Sequence, residues 1–188
     1  TGNDLFIYSS EIYSFVYCID YRYNIKVIYK IYLQTDILIN WDLKMKALEP
    51  GKPDFNYLPF KVHKDIIYLA GQVAKENGIV KNKGRVLEEI SEIEACRQIQ
   101  ICAEHALKWT IIAANNDDTK VDTILDLKVY VACNKNYDGI SRLADKASEV
   151  FIKKLGEKGK HPRSVIAVVR LPQNAPVMID LRAVINLK

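Results

Sequence analysis

The chain has 188 residues, of which 49% are hydrophobic and 27% are charged, and these proportions fit one globular domain. They exclude a collagen-like fibre and a wholly disordered chain. The net charge of +4 is too small to indicate nucleic-acid binding by itself. The four cysteines have no CxxC spacing. The sequence therefore predicts neither a disulfide framework nor a zinc site, and it indicates a reducing, intracellular compartment.

The first 44 residues differ in composition from the rest of the chain. Residues 1–44 contain no Ala and no Pro but seven of the 11 Tyr, whereas residues 45–188 contain all six Pro. We interpret residues 1–44 as an N-terminal extension that is unordered or not native, such as translated upstream sequence, and that folding does not require. The alternative is a strand-rich appendage, because Tyr and Ile favour strands. Its uncharged run at residues 12–19 is too short to cross a bilayer, so no membrane span is predicted.

The domain at residues 45–188 begins with a predicted hairpin and a long helix. Strands at residues 57–63 and 66–73 flank a short polar break. Ser91 lies three residues before Glu94, which is the spacing of a capping box at the start of a helix. The helix extends over about residues 92–114, and apolar residues recur every three or four positions along it. These residues predict its buried face: Ile93, Cys96, Ile99, Ala103, Ala106, Leu107 and Thr110.

The second half of this domain predicts a strand, a helix and two more strands. A strand lies within residues 121–132, and a helix over about 140–155 ends at Gly156. The inward face of this helix is predicted to consist of Ile140, Leu143, Ala147, Val150 and Phe151. The last strands are predicted at residues 164–171 and 177–185. In the last of these, buried apolar residues alternate with a second set that forms the other face, Met178, Asp180 and Arg182.

This order of elements predicts the fold class. The order strand, strand, helix, strand, helix, strand, strand indicates an α+β fold with both helices packed on one face of a sheet.

Residue types alone indicate two weak candidate sites. Arg163 lies where a loop with Gly and Pro enters a strand, so its guanidinium could bind a carboxylate or phosphate through two hydrogen bonds. A solvated basic loop is the alternative. Gly71 and Gln72 follow a strand, where backbone N–H groups could bind an anion or simply form a bulge. The histidines are scattered, and His105 is interpreted as a packed or surface helical residue.

Several short motifs follow one another in residues 46–185. They are Ala70-Gly71-Gln72 after a strand, a capped helix, His161-Pro162-Arg163-Ser164, and Leu171-Pro172 eight residues after Arg163. In order and spacing these motifs resemble the reactive intermediate deaminase family of the RidA or YjgF type, which is also called L-PSP endoribonuclease or translation-inhibitor-like.

The resemblance implies a chorismate-mutase-like fold and a homotrimer with ligand sites in the clefts between subunits. It implies that Arg163 binds the substrate carboxylate and is the catalytic residue, that Tyr57 lines the cleft, and that Gly71, with Gln72 beside it, contacts ligand. Asp145 falls where many members have Asn. Neither a metal nor an organic cofactor is implied.

Met178 departs from the family pattern. The family usually has Glu at this position, 15 residues after Arg163, where it positions the hydrolytic water. Methionine cannot accept a proton from water. Asp180 lies on the same face of the strand about 6 to 7 Å further along and is a possible substitute.

Three functions follow from the resemblance. The first is hydrolysis of reactive enamine or imine intermediates to a 2-keto acid and ammonia, on a small carboxylate-containing substrate. The second is a binding or regulatory trimer that has lost the water-positioning acid. The third is a weak endoribonuclease or translation inhibitor, supported only by basic runs such as residues 153–154 and 158–160. A cytoplasmic location is expected.

Overall fold

The computed structural model describes residues 43–45 and 47–187. The predicted extension therefore lies almost entirely outside the described residues. Met45 is buried, and the Lys108 ammonium donates a hydrogen bond to its carbonyl oxygen at 2.8 Å. The packed part of the described chain therefore includes this methionine.

Residues 60–185 contain six strands and two long helices. They are β1 (Phe60–His63), β2 (Ile66–Leu69), β3 (Gln72–Val73), α1 (Glu92–Ala113), β4 (Val121–Ala132), α2 (Ile140–Leu155), β5 (Arg163–Val168) and β6 (Val177–Ile185). The strands form one sheet in the order β1-β2-β6-β4-β5, and the short β3 pairs with β6. The α+β prediction is confirmed.

The first hairpin is shorter than predicted. The β1 strand begins at Phe60 rather than at residue 57, because Pro59 has no N–H to contribute to a ladder. The predicted strand at residues 66–73 is interrupted after Leu69 and resumes as β3. The interruption separates β2, which pairs with residues 182–184 at the end of β6, from β3, which pairs with residues 178–179 near its start.

The α1 helix begins where the capping motif predicts. The Ser91 hydroxyl accepts a hydrogen bond from the Glu94 N–H at 3.2 Å. The reciprocal half of the capping box is not formed, because the Glu94 carboxylate accepts from Arg97, Asn82 and Gln98 instead. The prediction that Ile93 is buried is wrong.

The failed prediction for Ile93 has a geometric reason. Ile93 lies about 120° around the helix from the buried Ile99, so its side chain faces away from the core and is 85% exposed.

The α2 helix confirms its predicted apolar face except at Ile140, which is half-buried. Leu143, Ala147, Val150 and Phe151 are buried, and the helix ends at Gly156, whose φ is 61°. This helix is the crossover between β4 and β5, which pair in parallel. A parallel pair needs such a crossover, whereas the other pairs of the sheet are antiparallel.

The last strand separates the two faces of the sheet. The β6 residues Val177, Ile179, Leu181, Ala183 and Ile185 are buried, and α1 packs on this face of β6. The α2 helix lies beside α1 and packs on β5 and β4. Met178 and Asp180 lie on the opposite face and are half-buried. The β5 strand ends at Val168, three residues before its predicted end.

The described cysteines, Cys96, Cys102 and Cys133, are free thiols. Burial raises the pKa of each thiol, so these side chains are poor nucleophiles at neutral pH. Neither helix of the described part is long and apolar enough to cross a membrane.

Candidate functional site

A pocket of about 380 Å³ brings together four of the six predicted site residues. Tyr57, Gly71, Gln72 and Met178 all line it, and Asp180 lies beside Met178 in its wall. Tyr57 is half exposed. The Gln72 amide nitrogen donates to the Ala70 carbonyl at 2.8 Å, which leaves the amide oxygen as an acceptor. Motifs more than 100 residues apart therefore converge on one cavity.

Hydrogen bonds to Asp54 hold the segment before β1 against other residues that line this pocket. The Asp54 carboxylate accepts hydrogen bonds from the Lys75 ammonium, at 2.5 Å, and from the Gln173 amide. The Lys75 hydrogen bond is the main cause that holds the pKa of Asp54 below its usual value. Because the partners lie 21 and 119 residues from Asp54, local sequence patterns do not reveal this contact.

Met178 packs directly on Gly71. A Cβ atom at residue 71 would lie 2.6 Å from the Met178 sulfur, which is closer than van der Waals contact allows. Glycine at this position therefore accommodates the methionine. The long apolar side chain occupies space that the resemblance assigns to a water-positioning carboxylate.

Of the carboxylates that line the pocket, Asp180 is the one nearest to Met178 in sequence. The Tyr130 hydroxyl donates a hydrogen bond to its Oδ2 atom at 2.9 Å. Burial first, and then this hydrogen bond, raises the pKa of Tyr130, so the phenol remains the donor at neutral pH. The contact fixes one oxygen of Asp180 and leaves the other available to accept a proton or to bind water.

His105, which the sequence predicts to be a packed or surface helical residue, is a buried residue of the pocket wall. It lies on α1, is 4% exposed, and lines the pocket. Val73, whose backbone lies beside this imidazole, is the register partner of Met178. Burial lowers the pKa of His105, and the nearby Lys44 and Lys75 lower it further.

These burial effects predict that the fold loses stability in acid. Burial also lowers the pKa of His161, so below about pH 6.5 the unfolded chain binds protons that the folded chain does not. Stability therefore falls as the pH drops, by at most about 1.4 kcal/mol per pH unit for each histidine. Urea unfolding at pH 7.5 and 5.5 measures this slope. We expect His105→Gln to reduce the slope, whereas the exposed His63→Gln serves as the control substitution; equal slopes in wild type and His105→Gln would contradict the assignment.

Arg163 and Asp145 do not line the pocket of their own chain. The Arg163 side chain, 21% exposed, lies against α2. Its Nη2 atom contacts the Asp145 carboxylate at 2.9 Å and the Ser141 carbonyl at 3.3 Å, and its Nη1 atom donates to Ser148 at 2.9 Å. The guanidinium is thus held in a defined position at the edge of the sheet.

The sheet register places Arg163 away from the pocket. Arg163 pairs with Leu127, and Leu127 pairs with Leu181, so Arg163 lies about 10 Å from β6 across two strand spacings. Its side chain also contacts the helix layer, whereas Met178 and Asp180 lie on the opposite face. One chain therefore does not bring Arg163 to a ligand in its own pocket.

Comparisons with known proteins identify the architecture. The protein Atu1372 of unknown function from Agrobacterium tumefaciens is 29% identical and matches 76% of this chain and 91% of its own, with a TM-score of 0.69. A candidate endoribonuclease from Shewanella oneidensis is 18% identical and matches 81% and 99%, with a TM-score of 0.73. The YjgF gene product from E. coli is 18% identical and matches 73% and 95%, with a TM-score of 0.52.

The chain has the YjgF/RidA fold. The resemblance given by the sequence motifs is thereby confirmed at the level of the fold. Among sequence relatives, Protein TCP17 from Trypanosoma cruzi is 24% identical over 145 residues, which are 77% of this chain and 90% of that protein. No protein-family model matches the chain.

Within this YjgF/RidA fold the basic runs at the end of α2 are engaged in local contacts. The Lys154 ammonium pairs with Asp118 at 2.6 Å, and Lys158 donates to the Val121 carbonyl at 3.3 Å. Lys160 pairs with Glu157 at 2.7 Å. The described residues also contain no group of three or more His, Cys, Asp or Glu that could hold a metal ion. Because these lysines are engaged in contacts within the chain, the basic runs give the endoribonuclease hypothesis no additional support.

Proposed function

We propose that this protein is a homotrimeric hydrolase of small reactive 2-imino acids and their enamine tautomers. Water adds to the imine carbon, the tetrahedral intermediate loses ammonia, and a 2-keto acid remains. The observation that carries the proposal is the pocket itself. It gathers Tyr57, Gly71 and Gln72 around the carboxylate of Asp180.

The trimer is proposed because the two halves of the site lie apart in one chain. The β5 strand is an edge strand, and it exposes apolar side chains: Ile166 is 40% exposed and the following Val169 is 80% exposed. An unpaired apolar edge is a surface that natural proteins usually cover. Covering it with a neighbouring subunit would bring Arg163 of one chain to the pocket of the next.

In the proposed mechanism Arg163 binds the substrate carboxylate, because a guanidinium matches a carboxylate in geometry and charge. The backbone near Gly71 and the Gln72 amide oxygen orient the imine. Asp180, held by the Tyr130 hydroxyl, accepts a proton from the attacking water. The proton that ammonia needs to leave returns from the same carboxyl group.

A second candidate function is a ligand-binding trimer without catalysis. The specific observation in its favour is Met178, whose sulfur lies against Gly71 where the resemblance expects a carboxylate. Such a protein would keep the carboxylate contact of Arg163 and lose turnover.

A subunit-mixing experiment tests the composite site. Arg163→Ala and Asp180→Asn each remove one half of the proposed site, so each variant alone is expected to be inactive. In trimers co-assembled from equal amounts of both, about a quarter of the interfaces unite an intact Arg163 with an intact Asp180. We therefore expect about a quarter of wild-type ammonia release. No recovery in trimers of verified mixed composition would contradict a site built between subunits.

Substitutions at position 178 separate the two candidate functions. Met178→Glu is expected to raise imine hydrolysis at least about tenfold, because a carboxylate adds a proton acceptor next to the substrate. Met178→Gln, which has the same shape without the charge, is the matched control and should not raise the rate. Ammonia release from an imine generated by an amino-acid oxidase measures both. Wild-type turnover supports the hydrolase, turnover only in Met178→Glu supports the binding protein, and turnover in neither contradicts the hydrolase.

A further inference from the structure

A chain of hydrogen bonds connects the loop after α2 to Arg163. The Nδ1 atom of His161 lies 2.7 Å from the Gly159 carbonyl oxygen, and its Nε2 atom lies 3.1 Å from the Ser148 hydroxyl. The Ser148 hydroxyl oxygen accepts from the Arg163 Nη1 atom at 2.9 Å. The Phe151 ring packs edge-on against the imidazole, with ring centroids 5.7 Å apart. Each polar group between Gly159 and Arg163 therefore has a defined neighbour on both sides.

The chemistry of these groups fixes where the protons lie. A carbonyl oxygen only accepts, so His161 carries a proton on Nδ1. Burial, and then the charge of Arg163, lower the pKa of His161, so its Nε2 atom is an unprotonated acceptor at neutral pH. Arg163 only donates. The Ser148 hydroxyl must therefore donate to His161 and present a lone pair to Arg163.

This orientation determines how Asp145 contacts the guanidinium. Because the Ser148 oxygen occupies Nη1, the Asp145 carboxylate contacts Nη2 through one oxygen. A carboxylate that engaged both nitrogens would hold arginine in a paired, bidentate contact. Ser148 is uncharged, so it holds the guanidinium without neutralising it. An incoming carboxylate then competes with one charged acceptor, the Asp145 oxygen to which Nη2 donates; Nη2 also donates to the Ser141 carbonyl, which carries no charge.

We propose that Ser148 and His161 are positioning residues for Arg163, in which the imidazole directs the Ser148 hydroxyl so that its lone pair holds the guanidinium ready for a carboxylate. The inference rests on the proposed function, because Arg163 is the group that binds the ligand carboxylate there. Neither residue contacts the ligand. Both act through Arg163.

The test measures the affinity of the full-length protein for 2-oxobutanoate, with butanone as the uncharged control ligand. Ser148→Ala removes the held lone pair, and we expect about 5- to 20-fold weaker binding of 2-oxobutanoate with no change for butanone. In the Arg163→Ala background Ser148→Ala should cause no further loss, because its effect passes through Arg163. Thermal unfolding of each variant verifies that it is folded.

Two substitutions of His161 distinguish positioning from a purely structural role. The amide of His161→Gln reaches the place of Nε2 and can accept from Ser148, whereas the amide of His161→Asn reaches the place of Nδ1 and can only serve Gly159. We expect His161→Gln to retain affinity within about twofold and His161→Asn to lose as much as Ser148→Ala. The opposite order would show that anchoring the loop matters and would overturn the inference.

The outcomes also separate this inference from the proposed function. Unchanged 2-oxobutanoate affinity in Arg163→Ala overturns the proposed function, and the inference with it. Weakened binding in Arg163→Ala together with wild-type affinity in Ser148→Ala overturns the inference alone.

Discussion

Arg163→Ala is expected to weaken the binding of small carboxylates by about 10- to 150-fold, which corresponds to about 1.5 to 3 kcal/mol. The loss follows from removing a charge-assisted contact that alanine cannot replace. The fold should remain intact, because Arg163 begins an edge strand and its partners, Asp145 and Ser148, lie on the surface of α2 or near it. Isothermal titration with 2-oxobutanoate measures the affinity.

Arg170→Ala is the matched control for this substitution. Arg170 is exposed two residues after the end of β5, so its loss removes the same charge without removing the held guanidinium. We expect the affinity to change less than about twofold, since an exposed charge contributes little. Equal losses in both variants would indicate a general charge effect and would contradict a site at Arg163.

The sequence predicted well those elements whose signals are local. The Ser91 cap, the apolar face around Leu143 and the alternation through β6 each depend on residues that are close in the chain, and each recurs in the structure. The exception, Ile93, shows the limit of counting positions. An apolar residue in the first turn of a helix can fit the spacing rule and still lie outside the buried face.

The motifs single out Tyr57, Gly71, Gln72 and Met178, and all four line one pocket. Their roles in binding a ligand stay predictions. The motifs did not reveal that Arg163 lies two strands away, because the position of β6 between β2 and β4 depends on contacts distant in sequence.

Two further residues that line the pocket, Asp54 and His105, also depend on contacts between residues that are distant in sequence. The Asp54 contact with Lys75 across the pocket has no local pattern. Neither does the buried position of His105 in the pocket wall, since a histidine in a helix has the same sequence neighbours whether it faces a cavity or a core. For such residues only the packing of α1 against the β3–β6 pair decides the environment.

Gly159 is the residue where fold and candidate site depend on the same contact. A Cβ atom at this position would lie 2.3 Å from the Phe151 carbonyl oxygen and 2.6 Å from its carbonyl carbon. Both are backbone atoms of α2, so neither can move aside without displacing the last turns of the helix. Phe151 is fully buried in the core. Any shift that relieves the clash therefore disturbs the packing of the helix on the sheet.

Gly159→Ala is therefore expected to lower the free energy of unfolding by about 3 kcal/mol, at the upper end of what overpacking usually costs, and the melting temperature by about 6 to 12 °C. Gly51→Ala is the control, because its Cβ would meet the Lys75 side chain at an ordinary 3.6 Å. We expect the free energy of unfolding of this control to change by less than about 0.5 kcal/mol.

The Gly159 carbonyl also accepts the hydrogen bond from His161, so the clash should displace the residues that hold Arg163 as well as the helix. At temperatures where Gly159→Ala is still folded, its affinity for 2-oxobutanoate should fall together with that of Ser148→Ala. Wild-type stability in Gly159→Ala would contradict the close approach, and lowered stability with unchanged affinity would separate the fold of this loop from the support of the guanidinium.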